Sequence, residues 1–191
     1  DEFQAFLECV ADKPISYYAF EMLYWTGIRE GELLALTPAD FKFEKKTLRI
    51  NKSYQRLEGK DVITDPKTPK SNRTIVMPDF LAVEMEDFIS SLYGIRDDDR
   101  IFTISKSYLH HEMDRGAKLA GVKRIRIHGL RHSHISLLIN LGFSALAIGE
   151  RVGHEAVDIT YHYAHLFPTV QTDMAAQLET EREALVNVRK E

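Results

Sequence analysis

The spacing of apolar residues changes from helical to strand-like between Phe41 and Met77, and it returns to helical after that stretch. Three short runs within it, at residues 47–50, 61–64 and 73–76, have the composition of strands. Turn signals separate them, at Glu58-Gly59 and across residues 66–71. The sequence therefore predicts one small antiparallel sheet inside a mainly α-helical chain, a fold of the α+β class.

Helical segments are predicted on both sides of this sheet. Within residues 1–36, Pro14 separates two helices and Gly27 interrupts the second one at a bend. After the sheet, Asp79 is predicted to cap a helix that runs to about Tyr93. Further helices are expected at about 105–120, 130–141, 145–152 and 157–164. We expect the core to include Phe20, Tyr24, Trp25, Leu146, Ile148 and Val152.

Length and composition exclude several classes of protein. A chain of 191 residues with 44% hydrophobic residues suits one globular domain and not a disordered polypeptide. No run of about 18 apolar residues occurs, so we expect neither a membrane-spanning helix nor a membrane partner. The single cysteine, Cys9, cannot form an internal disulfide, which fits a reducing cytosol and predicts a cytoplasmic protein.

The charge is unevenly distributed along the chain. The net charge of −4 argues, as an average, against a nucleic-acid partner. However, residues 42–73 contain ten basic and four acidic side chains and carry +6, which leaves −10 for the rest. A second basic cluster, without any acid, consists of Lys123, Arg124, Arg126 and Arg131. These two basic segments are suited to DNA phosphates, so the sequence indicates DNA as a candidate partner.

Three segments carry residues suited to phosphate chemistry. The first, T-G-I-R-E-G-E-L at residues 26–33, places Arg29 between two glycines. The second is H-G-L-R-H-S-H at residues 128–134, in which His128 and Arg131 are three residues apart and can share one face of a helix. The third contains V-G-H at 152–154 and a tyrosine, Tyr163, nine residues after His154.

Taken together, these segments resemble the tyrosine recombinase family, the phage and conjugative-transposon integrases. The family signature is an arginine in T-G-[IL]-R-x-x-E, a hairpin lysine, H-x-x-R, G-[HW] and a tyrosine nine residues later. The positions that fill it in order are Arg29, Lys67, His128, Arg131, His154 and Tyr163. The resemblance implies the tyrosine recombinase catalytic-domain fold. It also implies DNA strand cleavage and rejoining through a 3′-phosphotyrosine, without metal, ATP or another cofactor, for integration or excision of a mobile element.

The chemistry of phosphodiester transesterification agrees with these residue types. Extra negative charge develops on the non-bridging oxygens, and Arg29 and Arg131 can donate bidentate hydrogen bonds to them, with His154 as a further donor. A tyrosine hydroxyl with a pKa of about 10 is a weak nucleophile unless a base or nearby positive charges help to remove its proton. His128 is the candidate base. The resemblance assigns protonation of the leaving 5′ oxygen to Lys67, and Lys70 in the same turn is the alternative.

Other residues near these motifs receive simpler interpretations. Contacts to the DNA backbone are predicted for Lys70, Arg73, Lys123, Arg124 and Arg126. Six of the eight histidines lie between positions 128 and 165, but no cysteine or H-E-x-x-H array completes a site, so no metal is expected. We expect His132 to pack behind the site and His165 to support Tyr163, for which Tyr161 is the competing nucleophile.

The resemblance also implies an arrangement of domains and partners. Residues 1–168 would form the catalytic domain, and residues 169–191 a polar tail helix that packs on a neighbouring protomer. One or more upstream DNA-binding domains would lie outside this chain. The partners implied are double-stranded recombination sites, a homotetramer on DNA and a directionality factor, in a protein encoded by a bacterium, phage or conjugative element. The alternatives are a type IB topoisomerase and a catalytically silent DNA-binding accessory protein.

Overall fold

The computed structural model describes residues 2–66, 68–154, 156–163, 166, 175–176, 178–180 and 182. In the described part up to residue 163, eight α-helices and five short strands are joined by loops and short 3-10 turns. The helices are α1 (Glu2–Val10), α2 (Pro14–Thr26), α3 (Glu30–Leu33), α4 (Asp79–Ser91), α5 (Lys106–Ala120), α6 (Ile127–Asn140), α7 (Ala145–Val152) and α8 (Ala156–Tyr163). The strands are β1 (Phe41–Lys42), β2 (Thr47–Ile50), β3 (Ser53–Leu57), β4 (Lys60–Thr64) and β5 (Arg73–Val76). The predicted α+β class is confirmed. No helix in these described ranges is long and apolar enough to cross a membrane.

The strands form two sheets, so the prediction of one sheet is wrong. Strands β1, β2 and β5 form a three-stranded antiparallel sheet, in which Leu48 lies opposite both Phe41 and Ile75. Strand β4 pairs with β3, which was not predicted, in a separate hairpin. The physical reason is the two-residue turn at Glu58 and Gly59, both with positive φ, which folds β4 directly back onto the residues before it.

Two hydrophobic clusters hold the fold together. The larger cluster joins α1–α5 to the three-stranded sheet and buries Phe20, whereas Tyr24 and Trp25 are partly buried against it. The smaller cluster joins α6, α7 and α8 and buries Ile148 and Val152. Leu146, predicted to lie in the core, is 63% exposed. Residues two positions apart on a helix point to opposite sides, so the face of α7 that buries Ile148 leaves Leu146 in solvent.

The C-terminal ends of α2 and α7 lie near the residues of the three sequence motifs. Helix α2 ends at Gly27, whose φ of +65° is left-handed and whose N–H donates to the Leu23 carbonyl. Helix α7 ends in the same way at Gly153, with φ +71°. A side chain at Gly153 would also approach the Lys70 carbonyl to 3.0 Å, so the segment before β5 packs closely on this end of α7. Helix α4 begins at Asp79, whose carboxylate pairs with Lys46 instead of capping the helix.

Candidate active site

Arg131 lies at the meeting point of two helix ends. Its side chain is 1% exposed, and its Nη1 and Nη2 donate to the carbonyl oxygens of Gly27 and Val152, each at 2.5 Å. The C-terminal end of a helix carries partial negative charge, so both acceptors favour a cation. These bonds use two of the five N–H donors of the guanidinium, and within the described residues the buried Nε has no hydrogen-bond partner. Arg131 therefore keeps donors for an anionic ligand.

Arg29 approaches the same end of α7 from the start of α3. Its Nη2 donates to the Gly153 carbonyl at 3.4 Å, the residue after the one that Arg131 contacts. Its Nη1 donates to Glu32 Oε1 at 2.8 Å and to Ser71 Oγ at 3.3 Å. About a third of the Arg29 side chain (34%) is exposed, so the guanidinium faces both the protein and the surface. Successive carbonyls of one helix end thus hold the two arginines.

Glu32 joins the arginines to a third one, Arg73. Arg73 Nη2 donates to Glu32 Oε2 at 3.0 Å and its Nε donates to the Arg151 carbonyl at 2.8 Å. Burial acts to raise the pKa of Glu32, but the hydrogen bonds and charge of Arg73, together with Arg29, hold that pKa below its usual value. The Arg73 side chain is only 6% exposed. The predicted contact between Arg73 and the DNA backbone does not fit this position, because strand β5 turns Arg73 and Ile75 inward on one face.

The imidazoles of the site are favoured in their neutral form. Desolvation, followed by the charges of Arg131 and Arg29, lowers the pKa of His154 to about 4. His128 is exposed in the first turn of α6, three residues from Arg131. Partial desolvation of the ring, followed by the charges of the nearby His132 and Arg131, also lowers the pKa of His128. Near neutral pH each ring then offers one N–H donor and one lone pair.

Tyr163 reaches the site from α8 and contacts His132. The tyrosine is 8% exposed, and its hydroxyl is hydrogen-bonded to His132 Nδ1. The ring of His132 in turn packs edge-on against His128, with centroids 4.9 Å apart. Burial raises the pKa of the Tyr163 hydroxyl, while the charge of Arg131 acts to lower it. Tyr161, two residues earlier, is 83% exposed, so α8 directs only Tyr163 of the two into this cluster.

The remaining predicted residues lie at the edge of the site or away from it. Lys67 and His165 lie outside the described residues. Lys70 is exposed on the turn before β5 and borders a surface pocket together with His154. The basic side chains of Lys123, Arg124 and Arg126 are exposed, and Arg124 pairs with Asp114 at 2.6 Å.

Four residues that contact site residues received no function from the sequence, which predicted only that His132 packs behind the site: Glu32, Ser71, His132 and Arg151. Glu32 belongs to the R-x-x-E segment, and that spacing was the one available signal for it. The others carry no comparable pattern. Among the described residues, no group of three or more histidine, cysteine, aspartate or glutamate side chains is placed to hold a metal ion.

A family model and individual relatives both match this chain to integrases. The model of the phage integrase family matches residues 1–169. The ICEBs1 integrase of Bacillus subtilis (strain 168) is 31% identical over 194 residues, which cover 94% of this chain and 53% of that protein. The chain therefore spans about half the length of this relative.

Solved structures share the fold at low sequence identity. The Tn1549 transposon integrase in complex with a circular intermediate DNA has a TM-score of 0.74 and 22% identity, over 94% of this chain and 63% of that one. The catalytic domain of bacteriophage HP1 integrase has a TM-score of 0.63 and 20% identity. In that case the match covers 92% of this chain and 90% of the other, so the two have nearly the same extent.

Proposed function

This chain belongs to the phage integrase family, and from that premise we propose that it is the catalytic domain of a tyrosine recombinase that cleaves and rejoins DNA through Tyr163. One observation carries the proposal: Arg29 and Arg131 contact successive carbonyls at the end of α7, and Tyr163 lies on the next helix. A nucleophile beside two guanidiniums suits attack on a phosphodiester. The extent of the match to the HP1 catalytic domain supports assigning residues 1–168 to this domain.

The two arginines bind the scissile phosphate in this proposal. Their remaining N–H donors, with the N–H of neutral His154, contact the non-bridging oxygens. Charge on these oxygens grows as the phosphorus becomes pentavalent, and donors already fixed by protein carbonyls need little reorganisation to stabilise it. Because Arg131 is almost fully buried, its electrostatic interaction with the phosphate is weakly screened.

The Tyr163 oxygen then attacks phosphorus, and the bond to the 5′ oxygen breaks. This leaves a 3′-phosphotyrosine, which a 5′ hydroxyl attacks in the reverse sense to rejoin DNA. The tyrosine proton passes to an imidazole. His132 is in contact with the hydroxyl, and His128, the base inferred from sequence, lies edge-on to His132. Both rings are favoured in the neutral state that accepts a proton.

The leaving 5′ oxygen takes a proton from a lysine of the segment between β4 and β5. We assign this role to Lys67, with Lys70 as the alternative in the same segment. Backbone contacts to DNA are proposed for Lys70 and for the exposed Lys123, Arg124 and Arg126. A Lys67→Ala chain should lose adduct formation on an ordinary 5′ oxygen and recover it on a 5′-phosphorothiolate, whose sulfur leaves without protonation. The same recovery in Lys70→Ala instead would reverse the assignment.

The whole enzyme is proposed to act on double-stranded recombination sites in a bacterial, phage or conjugative-element setting, in the cytoplasm. Four protomers would assemble on two duplexes, residues 169–191 would pack on a neighbouring protomer, and a directionality factor would bias the outcome. Upstream DNA-binding domains would complete the protein. These points rest on the family resemblance and on DNA complexes such as that of the Tn1549 integrase.

A covalent-adduct assay tests the proposal. The chain is incubated in EDTA with a nicked suicide DNA that carries its recombination site, and products are separated on a denaturing gel. We expect an adduct with the wild type, none with Tyr163→Phe, and an adduct with the matched control Tyr161→Phe. An adduct that persists in Tyr163→Phe, or that EDTA abolishes, would contradict the mechanism. Supercoil relaxation without strand exchange by the whole enzyme would favour the topoisomerase alternative.

A further inference from the structure

Arg151, in the last turn of α7, connects that helix to three other elements. Its Nε donates to His134 Nε2 on α6 at 3.1 Å. Its Nη1 donates to the Val76 carbonyl at the end of β5, at 3.0 Å, and its Nη2 to the Trp25 carbonyl near the end of α2, at 3.2 Å. Each nitrogen of this guanidinium therefore has a different acceptor on a different element. None of these contacts is explained by DNA binding, because all of them are internal.

The turn that Arg151 fixes holds three other arginines. The carbonyls of Arg151, Val152 and Gly153 accept hydrogen bonds from Arg73, Arg131 and Arg29, respectively. The last carbonyls of a helix have no intrahelical partner and carry the negative end of its dipole, so they suit three guanidiniums. The position of this one turn therefore decides where the two phosphate-binding arginines point.

His134, the partner of Arg151 on α6, packs against the residue that holds the other side of Arg131. His134 is 3% exposed, and burial together with the charge of Arg151 lowers its pKa to about 3, so its Nε2 keeps a lone pair for the arginine. Its ring packs against Gly27, where an added Cβ would lie 2.5 Å from His134 Cδ2. Gly27 supplies the second carbonyl that holds Arg131. The hydrogen bond between Arg151 and His134 thus links the two places that hold Arg131, which are the Val152 carbonyl at the end of α7 and the Gly27 carbonyl beside His134.

We propose that Arg151, through His134 and the end of α7, is a positioning residue that aligns Arg29 and Arg131 on the scissile phosphate. The inference rests on the proposed function of this site. Arg151 itself does not touch the DNA. Its removal lets the end of α7 shift relative to α2 and β5, and the guanidiniums shift with the carbonyls that hold them.

Arg151→Lys is the informative substitution. Lysine keeps the positive charge but concentrates its donors on one nitrogen, so it cannot reach three acceptors on separate elements. Displacements of about 1 Å can slow a reaction by up to about 100-fold, and we expect the single-turnover rate of adduct formation to fall between about 10- and 100-fold. The matched control is Arg115→Lys. Arg115 on α5 also makes several internal hydrogen bonds, to Glu112 on the same helix and to Asp12 in the turn between α1 and α2, but it contacts no residue of the site.

The scissile phosphate provides a readout that a general loss of stability would not move. In a methylphosphonate substrate a neutral methyl group replaces one charged oxygen, so the alignment of the arginines matters less. We expect the penalty of Arg151→Lys, relative to the wild type, to be at least fivefold smaller on the methylphosphonate than on the phosphodiester. Rates are taken from the time course and not from the final yield, so that an unfolded fraction does not enter the comparison.

His134→Leu provides an independent variant that retains Arg151, and His134→Gln restores an acceptor. We expect the leucine to reproduce the substrate-dependent penalty and the glutamine to reverse part of it. Equal penalties on both substrates, or an Arg151→Lys rate equal to that of Arg115→Lys, would overturn the inference while the proposed function stood. Absence of an adduct from the wild type would overturn the proposed function and this inference together.

Discussion

The buried contact between Glu32 and Arg73 gives a quantitative prediction about stability. The two side chains are 5% and 6% exposed, and two hydrogen bonds of 3.0 and 3.2 Å join them. Glu32 also accepts from the backbone N–H and the guanidinium of Arg29, both at 2.8 Å. Replacing Glu32 by Gln preserves its size and removes its charge. Arg73 then remains buried without a counter-ion.

The expected loss follows from burial. Removing one partner of a buried ion pair costs about 3–5 kcal/mol, and because the glutamine oxygen still accepts one hydrogen bond we place Glu32→Gln at about 3 kcal/mol. The lost pairing of Glu32 with Arg29 adds little to this loss of stability, because the exposed part of the Arg29 side chain can be solvated. In a domain of this length, each kcal/mol lost from the free energy of unfolding lowers the Tm by about 2–4 °C. The Glu32→Gln chain should therefore have a Tm lower by about 6–12 °C.

Urea unfolding of Glu32→Gln, Arg73→Met and the double variant measures the pair. The double variant leaves neither charge buried without a partner, so its loss should be smaller than the sum of the single losses by at least about 1.5 kcal/mol. Single losses that add to within about 0.5 kcal/mol, or a Glu32→Gln loss below about 1 kcal/mol, would refute the reasoning from burial.

Three further predictions concern titration, proton transfer and backbone shape. Burial first, and then Glu84, raises the pKa of Glu21 to about 7, so a contribution to stability present below pH 4.5 is lost as the pH rises through 7. Glu21→Gln should therefore stabilise the chain by about 1–3 kcal/mol at pH 8 but not at pH 4, and an equal effect at both pH values in urea unfolding would contradict this. His132→Ala should slow single-turnover adduct formation by about 100-fold or more, and a larger loss in His128→Ala would transfer the role of base to that residue. Gly27→Ala, with φ +65° and a 2.5 Å approach to the His134 ring, should destabilise the chain by about 2–4 kcal/mol, whereas an unchanged Tm would show that α2 can end differently.

Local sequence signals predicted the helices well because their causes are local. Pro14 begins α2, and Gly27 and Gly153 directly follow α2 and α7, so each of these residues sets the boundary of the helix next to it. The two sheets were harder to predict, since pairing between β2 and β5 joins residues more than twenty positions apart. Whether 60–64 joins that sheet or folds back on β3 depends on the turn at Glu58 and Gly59, and strand composition alone does not decide it.

The site also combines features set by local sequence with contacts between distant segments. Motif spacing grouped Arg29, Arg131, His154 and Tyr163, which lie on elements around the end of α7. Composition alone suggested that basic residues in the segment from 42 to 73 face DNA. Arg73 differs because β5 places it on the inward side of the sheet, beside a carboxylate from α3. That contact exists only after α3 and β5 have packed together, and no pattern within one segment indicates it.

The central claim is that Tyr163 becomes covalently joined to a DNA 3′ phosphate. Trapping the wild-type chain on suicide DNA, digesting protein and DNA, and mapping the modified peptide by mass spectrometry tests it most directly. The account predicts a nucleotide 3′-phosphate on the Tyr163 hydroxyl and unmodified Tyr161 in the same peptide. A modification on Tyr161 or on a histidine, or DNA cleaved with no nucleotide left on the protein, would contradict it.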